Sequence, residues 1–353
     1  MWQHRHVPAS LKTRLCDLLA IELPILSAGM GSVAGPELVA AVSNAGGFGV
    51  LGVSGASPDG VREAISSARA LTARPFGVNV IIDEEGWAPS EDDRALVRAE
   101  IESAAGAGIA AIVVFWGDPT PFVAIAHANG VALLAQVGSL AEAESAADAG
   151  VDAIIVQGIE AGGHVRGTTS VWDLLPSTVE KVAPVPVLAS GGIGDGAGIA
   201  RALRLGAQGV SLGTRFVASD ESRAHPEYKR RIVESAAEDT VYTVDLYDVW
   251  WPGAPHRTLR NRNFDEWDAA GRPSPGNRPG EGTTIGTMRR ASGETYELPR
   301  YVGAGSPLVT FEGELDYMPM WAGESVGAVH EVLPTAEIVS RLAADAVVAL
   351  DGR

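Results

Sequence analysis

The chain holds one cysteine, Cys16, in 353 residues. An intramolecular disulfide is therefore impossible, and so is a cysteine metal cluster. A reducing compartment is the corresponding expectation. Basic residues are few: 27 Lys and Arg stand against 44 Asp and Glu, for a net charge of −17. A field of that sign repels a nucleic-acid backbone and an anionic membrane surface, so neither partner is expected. No apolar run reaches the length of a membrane span. The opening Met1-Trp2-Gln3-His4-Arg5-His6 leads into no apolar core, so no secretory signal is read there. The chain reads as soluble and cytoplasmic.

What is present is small and apolar. Hydrophobic residues make up 46%, and 42 glycines run through the whole length, a globular composition dense in turns. The length fits one large α/β domain with an appendage, or two domains. Cys16 lies in a short helix predicted over 11–20 and reads as a small buried hydrophobe.

From residue 24 to about 236, short β-branched runs alternate with Ala-rich segments of helical period. Strands are predicted at 24–30, 48–53, 76–82, 110–116, 132–137, 153–157, 186–190 and 209–216. Helices are predicted at 36–45, 58–71, 91–105, 140–149, 171–182, 196–205 and 221–236. Their starts carry caps or first-turn prolines, as at Gly35-Pro36, Ser57-Pro58, Ser139 and Asp195. Their ends run into glycine, as at Ala45-Gly46, Ala149-Gly150 and Leu205-Gly206. Eight strands, apolar on both faces and joined by crossover helices, predict an α/β fold of the (β/α)8 TIM-barrel type. The alternative is a doubly wound open sheet, whose Gly-x-Gly-x-x-Gly fingerprint is not clean here. The barrel with its lead-in spans 1–238. Residues 239–305 read as an irregular excursion, serving as a lid over the barrel mouth or in oligomerisation, with a homodimer among the readings. Helices at 320–329 and 335–349 bring 306–353 back onto the barrel.

In such a barrel the chemistry sits at the C-terminal ends of the strands. The segment Gln157-Gly158-Ile159-Glu160-Ala161-Gly162-Gly163-His164 places a histidine directly after two glycines, just past a strand. Glycines let backbone amides approach a flat ligand, and histidine moves a proton near neutral pH. The loops after the last two strands, Ser190-Gly191-Gly192 and Ser211-Leu212-Gly213-Thr214, suit a phosphate held by backbone amides and hydroxyls. The other strand ends offer Gly29-Met30-Gly31 and the amides of Asn79, Gln136 and Gln157. Amides donate and accept, which suits the heteroatom edge of a flavin. His164 has no acidic or histidine partner at metal-ligand spacing, so no metal is expected. Plainer roles are read for four other features. Gly46-Gly47 turns a helix into the second strand, Trp116 packs in the core or rim, Arg215 makes a structural ion pair, and His225 is a surface or helix-end residue.

Five segments in order, Pro24–Met30, Ala41–Gly49, Gln157–His164, Ala189–Ile193 and Leu212–Phe216, resemble the nitronate monooxygenase family, formerly called 2-nitropropane dioxygenases. The resemblance continues less sharply through Trp251-Pro252, His256-Arg257 and Trp321-Ala322-Gly323. FMN-dependent enoyl-acyl-carrier-protein reductases and some quinone reductases share nearly all of these segments. The resemblance implies an FMN barrel. FMN would meet the backbone at Gly29, Met30, Gly31, Gly162 and Gly163, and the amides of Asn79 and Gln157. Its phosphate would lie near Ser190, Gly191, Gly192, Ser211, Leu212, Gly213 and Thr214. Gln136 stands where some relatives carry a lysine, and His164 matches the catalytic base. Two departures stand out. Ser27-Ala28-Gly29-Met30 replaces a common Gln-x-Pro-Met, and Val165 is inserted between the base and Arg166-Gly167. The activity implied is oxidation of alkyl nitronates with O2 to a carbonyl compound and nitrite. The alternatives are an NAD(P)H-dependent reductase of an enoyl thioester or quinone, and a flavin-binding protein without turnover.

Overall fold

A computed structural model describes residues 11–289, 293–303 and 305–352; the N-terminal stretch read above for a secretory signal lies outside them. The helix α1 (Arg14–Leu19) leads into eight parallel strands: β1 (Ile25–Ser27), β2 (Gly49–Gly52), β3 (Phe76–Ile81), β4 (Ala111–Phe115), β5 (Ala132–Val137), β6 (Ala153–Gln157), then, past the two-residue strand β7 (Gly163–His164), β8 (Val187–Ser190) and β9 (Gly209–Leu212). Neighbouring strands pair in the order β1-β9-β8-β6-β5-β4-β3-β2. A parallel bridge between Leu26 and Phe48 joins β2 back to β1 and closes the ring. This is the TIM barrel expected from the alternation.

Helices α2 (Pro36–Asn44), α3 (Pro58–Leu71), α4 (Glu91–Ala105), α5 (Thr120–Ala128), α6 (Leu140–Ala149), α7 (Val171–Lys181) and α8 (Gly196–Arg204) surround it. Their starts follow from local chemistry. Ser57, Ser139 and Asp195 each accept a backbone N–H of the first turn. Ser90 and Asp93 form a reciprocal capping box. Alternation along each strand sorts the core into two layers. Leu26, Phe48, Val50, Val113, Leu134, Ile155 and Leu188 fill the barrel together with Leu15, Cys16 and Leu19 of α1, which plug one end. Ile25, Leu51, Val78, Ile112, Val156, Val210 and Leu212 face the helices instead.

The chain after β9 differs from expectation. The strand predicted to 216 stops at Leu212, because Gly213 turns into the short helix α9 (Thr214–Val217). The helix predicted from 221 starts only at Pro226, as α10 (Pro226–Glu234), capped by His225, whose Nδ1 accepts from Glu227 N–H. Residues 239–305 are not irregular. They contain β10 (Thr240–Thr243), β11 (His256–Leu259), α11 (Arg262–Ala269), β12 (Thr284–Arg289) and β13 (Thr295–Pro299). β10 and β11 form a three-stranded sheet with β7 from the barrel, while β12 pairs with β13 and with β14 (Phe311–Gly313). Inside the helix predicted over 320–329, only the 3-10 turn Glu324–Ala328 forms, preceded by Gly323 and containing Gly327, two residues that disfavour a longer helix. The closing helix α12 (Thr335–Leu350) lies on α8, where Gly196 has no room for a Cβ beside Ala346 N, 2.4 Å away. Among the described residues no helix is long and apolar enough to cross a membrane.

Candidate active site

A cavity of about 290 Å³ opens at the C-terminal ends of the barrel strands. It gathers nearly all of the residues singled out from the sequence: Gly29, Met30 and Gly31 after β1, Asn79 on β3, Gln136 on β5 and Gln157 on β6. From the later loops come Gly162, Gly163, His164, Ser190, Gly191, Gly192, Ser211, Gly213 and Thr214. Leu212 is the exception: its side chain points outward into the layer between barrel and helices. Strand alternation sends Ser211 one way and Leu212 the other.

The glycines fall into two groups. Gly29 is forced by a neighbour, since a Cβ there would sit 2.3 Å from Asn79 Cβ. A proline at this position would have no room beside this asparagine. Gly162 is likewise held against the backbone of Gly323, 2.3 Å from where its Cβ would lie. Gly31 and Gly213 are different. No atom lies within 4 Å of a Cβ built on Gly31, and the nearest to one on Gly213 is Met30 Sδ at 3.8 Å. Their missing side chains leave cavity space that a ligand can fill. Gly191 and Gly192 run at φ of 99° and 68°, a backbone that favours glycine and turns successive N–H groups in a loop.

The amides are partly committed. Asn79 Nδ2 donates to Val113 O at 3.1 Å. Gln157 spans the loop that carries the histidine: its Nε2 donates to His164 O, and its Oε1 accepts from Arg166 N–H, both at 2.9 Å. Gln157 thus clamps the segment His164-Val165-Arg166. Thr214 Oγ1 accepts from Gly323 N–H at 3.0 Å, tying the last barrel loop to the 3-10 turn.

His164 sits on β7, opposite His256 of β11. Its ring lies 4.0 Å from Trp251 at a tilt of 31°, 5.3 Å from Trp321 and 6.0 Å from His256, centre to centre. Its Nε2 is sealed from solvent and has no hydrogen-bond partner. Burial, with His256 nearby, holds the imidazole well below its usual pKa, so it is neutral near pH 7. His256 is fully engaged. Its Nδ1 meets Ala254 O at 2.8 Å, and its Nε2 accepts from Tyr247 N–H at 3.2 Å. Burial lowers its pKa to about 4. Of the two histidines, only His164 keeps a nitrogen free.

Sequence reading missed several parts of this site. Trp87, Phe115, Trp251, Tyr228, Met288 and Trp321 form its apolar walls. Tyr228 Oη donates to Trp321 O, and Trp321 Nε1 donates to Gly305 O at 2.6 Å. The doublet Trp250-Trp251 was visible, but which tryptophan turned inward was not. Trp251 is buried and Trp250 about half exposed. Trp116 packs in the rim as read. Arg215 is buried and donates to the backbone oxygens of Ala218 and Glu331 rather than to a carboxylate.

The residues present fit a flavin phosphate: glycine amides and hydroxyls after β8 and β9, open space at Gly31 and Gly213, and apolar walls for a ring. Among the described residues no group of His, Cys, Asp and Glu could hold a metal ion. A second groove, of about 580 Å³, is lined by Arg230, Arg231, Arg260 and Arg262. Each of these arginines is already paired with an acid, so the groove offers no free anion receptor.

Known proteins resemble this chain along nearly its whole length. The nitronate monooxygenase family profile matches residues 12–345. A nitronate monooxygenase of Paraburkholderia phytofirmans is 34% identical, with 94% of each chain covered. A (3aS,4S,5R,7aS)-5-hydroxy-7a-methyl-1-oxo-octahydro-1H-indene-4-carboxyl-CoA dehydrogenase of Mycobacterium tuberculosis is 36% identical over 74% of this chain and 70% of its own. Among solved structures, a variant of FabK from Thermotoga maritima superposes with a TM-score of 0.76 at 32% identity, covering 97% of this chain and 98% of its own. The barrel, the glycine-lined cavity with its free histidine and the match along nearly the whole chain lead to one assignment: this chain belongs to the nitronate monooxygenase family of flavin-dependent oxidoreductases.

Proposed function

We propose that this chain oxidises alkyl nitronates through bound FMN, with O2 as the oxidant, yielding a carbonyl compound and nitrite. The observation that carries the reading is His164: a neutral imidazole on the cavity wall whose Nε2 has no protein partner. Bound FMN supplies the route by which an electron leaves the nitronate and reaches O2. The chain's residues do the rest. Amides of the loops at Gly191-Gly192 and Gly213-Thr214 hold the phosphate. Trp251, Trp321 and Phe115 exclude water and present an apolar wall to the alkyl group. With a neutral nitroalkane, the His164 imidazole on the cavity wall takes the α-proton. Its neutral state at pH 7 leaves it available to accept, and general-base help of this kind is worth roughly 10²–10⁴-fold.

The test compares two substrates in one variant. His164→Asn should retain FMN and lose about 10²-fold or more in turnover of a neutral nitroalkane. A preformed nitronate needs no deprotonation and should suffer much less. Equal loss on both would remove the base role. A second reading has its own support. The Mycobacterium tuberculosis relative is named for a substrate carried on CoA, and His164 could serve as a proton donor in NAD(P)H-dependent reduction of an enoyl thioester. Anaerobic absorbance separates the two. Flavin reduced by propyl-2-nitronate and not by NADPH supports the oxidase. Bleaching by NADPH alone supports the reductase.

A further inference from the structure

The aromatic wall behind His164 is tethered, and the tether runs to a different part of the rim. The Trp251 indole N–H donates to Asp83 Oδ2 at 2.9 Å, with both groups buried. The same oxygen accepts from the backbone N–H groups of Gly86 and Trp87, and Asp83 Oδ1 accepts from Glu85 N–H. One carboxylate therefore builds the turn after β3 and holds the indole to it. Gly86 is shaped to the same end, since a Cβ there would lie 2.9 Å from Trp251 Cδ1. Trp87 and Trp116 close on the indole from 5.2 and 5.3 Å. Trp116 does so from a φ of 70°, an outlier for a bulky side chain. Such outliers persist where the surroundings over-determine them, and they gather at functional sites. Here two strand-end loops converge on one indole, whose neighbour on the cavity side is the His164 ring.

We infer that Asp83 and Trp251 are positioning residues for His164. The inference rests on the base role proposed above. The Asp83 carboxylate fixes the indole, and the indole fixes the plane of the imidazole, whose backbone is already set by the pairing of β7 with β11. A ring held only by its own χ angles would sample rotations that take its basic nitrogen away from the substrate carbon. A buried indole N–H requires an acceptor, and a carboxylate anchored by three backbone N–H groups holds it more rigidly than a lone carbonyl would. Trp251 belongs to the segment inserted after the barrel, so that segment supplies part of the support for the base.

The experiment uses the FMN-loaded protein and two readouts. The first is the His164 Cε1–H resonance, assigned with His164→Asn, whose ring-current shift reports stacking on Trp251 without any turnover. The second is kcat and KM on a neutral nitroalkane and on its preformed nitronate. Asp83→Ala should move the resonance toward an unstacked value. It should lower kcat on the neutral substrate about 10–100-fold, the range for lost supporting contacts around a working group, with KM nearly unchanged and a much smaller loss on the nitronate. Asp83→Asn can still accept the indole N–H on its one oxygen, giving up the Glu85 N–H contact, and should restore most of both readouts. Trp251→Phe keeps an aromatic floor and removes the donor together with the wider ring. It should show the same pattern at about 5–10-fold, and it serves if Asp83→Ala does not fold. An unshifted resonance with unchanged kcat overturns the inference. So does an equal loss on both substrates that asparagine does not rescue. If His164→Asn fails to distinguish the two substrates, the base reading is lost, and the resonance alone then decides whether the tether orders the ring.

Discussion

Gly162 and Gly213 both line the cavity, yet a side chain added at each meets different surroundings. At Gly162 a Cβ lies 2.3 Å from Gly323 N, so backbone must move. Gly162→Ala should therefore cost about 1–3 kcal/mol of stability, the range for overpacking, and should show as a lowered Tm. At Gly213 the added atoms enter cavity space, and the backbone φ of −100° accepts any residue. Gly213→Val should keep its Tm without cofactor but hold FMN at least about tenfold more weakly, a loss of about 1.4 kcal/mol, read from the absorbance ratio at 450 and 280 nm after dialysis. If Gly213→Val keeps full FMN while unfolding earlier, the phosphate assignment is wrong. At this scale the sequence identified which residues gather, because strand ends and glycine pairs carry a local signal. It did not separate glycines that make room for protein from glycines that make room for a ligand. That difference depends on Asn79 and Gly323, which are remote in the chain. Trp251 and Asp83 were illegible for the same reason, since a contact spanning 168 residues leaves no periodic trace.

Helix α4 carries a group that links burial to pH. Glu100 is fully buried. Its Oε1 accepts from Gly55 N–H at 2.7 Å, while its Oε2 has no partner. Gly55 follows Ser54, which lines the cavity and whose Oγ accepts from Ile81 N–H at 2.8 Å. Burial pushes the Glu100 carboxyl up to about 8 from 4.5. The folded protein therefore keeps a proton that the unfolded chain has already released between these values. The stability carried by the protonated form is full below about 4.5, declines as pH rises, and is lost above about 8. Glu100→Gln cannot ionise, so wild-type stability should fall relative to the variant over that window, by on the order of 1–3 kcal/mol. Parallel Tm curves from about pH 5 to 9 would show that the carboxylate finds water or a partner instead. Most elements of the barrel were legible because caps, prolines and C-terminal glycines are local; α5 (Thr120–Ala128), which starts without a side-chain cap, was not predicted. Elements from residue 213 to 330 were not legible, whereas the closing helix α12 was. The turn at Gly213 and the pairing of β11 with β7 are set by tertiary contacts, and Pro226 delays a helix whose periodicity begins earlier.

Across the whole molecule, the segment after the barrel shares its core. Val33 and Val217 of the barrel loops pack with Leu259, Met320, Val326 and Val329 in one buried cluster. The sheet β10-β11-β7 stitches the same parts together through backbone hydrogen bonds. Composition suggested a boundary near 238, since prolines, tryptophans and arginines become frequent there, but composition does not report which apolar faces meet. A unit that borrows both a strand and half of a core cluster should not melt alone. We therefore expect one calorimetric transition, with calorimetric and van't Hoff enthalpies in agreement. Met320 is fully buried in the shared cluster, so Met320→Ala should lower that transition as a whole, at a cost of about 2–5 kcal/mol. Amides of β10 and β11 should exchange on the same timescale as those of β5 and β6, because local opening of the sheet exposes the cluster. A second, earlier transition in Met320→Ala, with fast exchange confined to residues beyond 238, would mean that the base and its tryptophan floor are held by separately folding parts. In that case the orientation of His164 would depend on docking rather than on the fold.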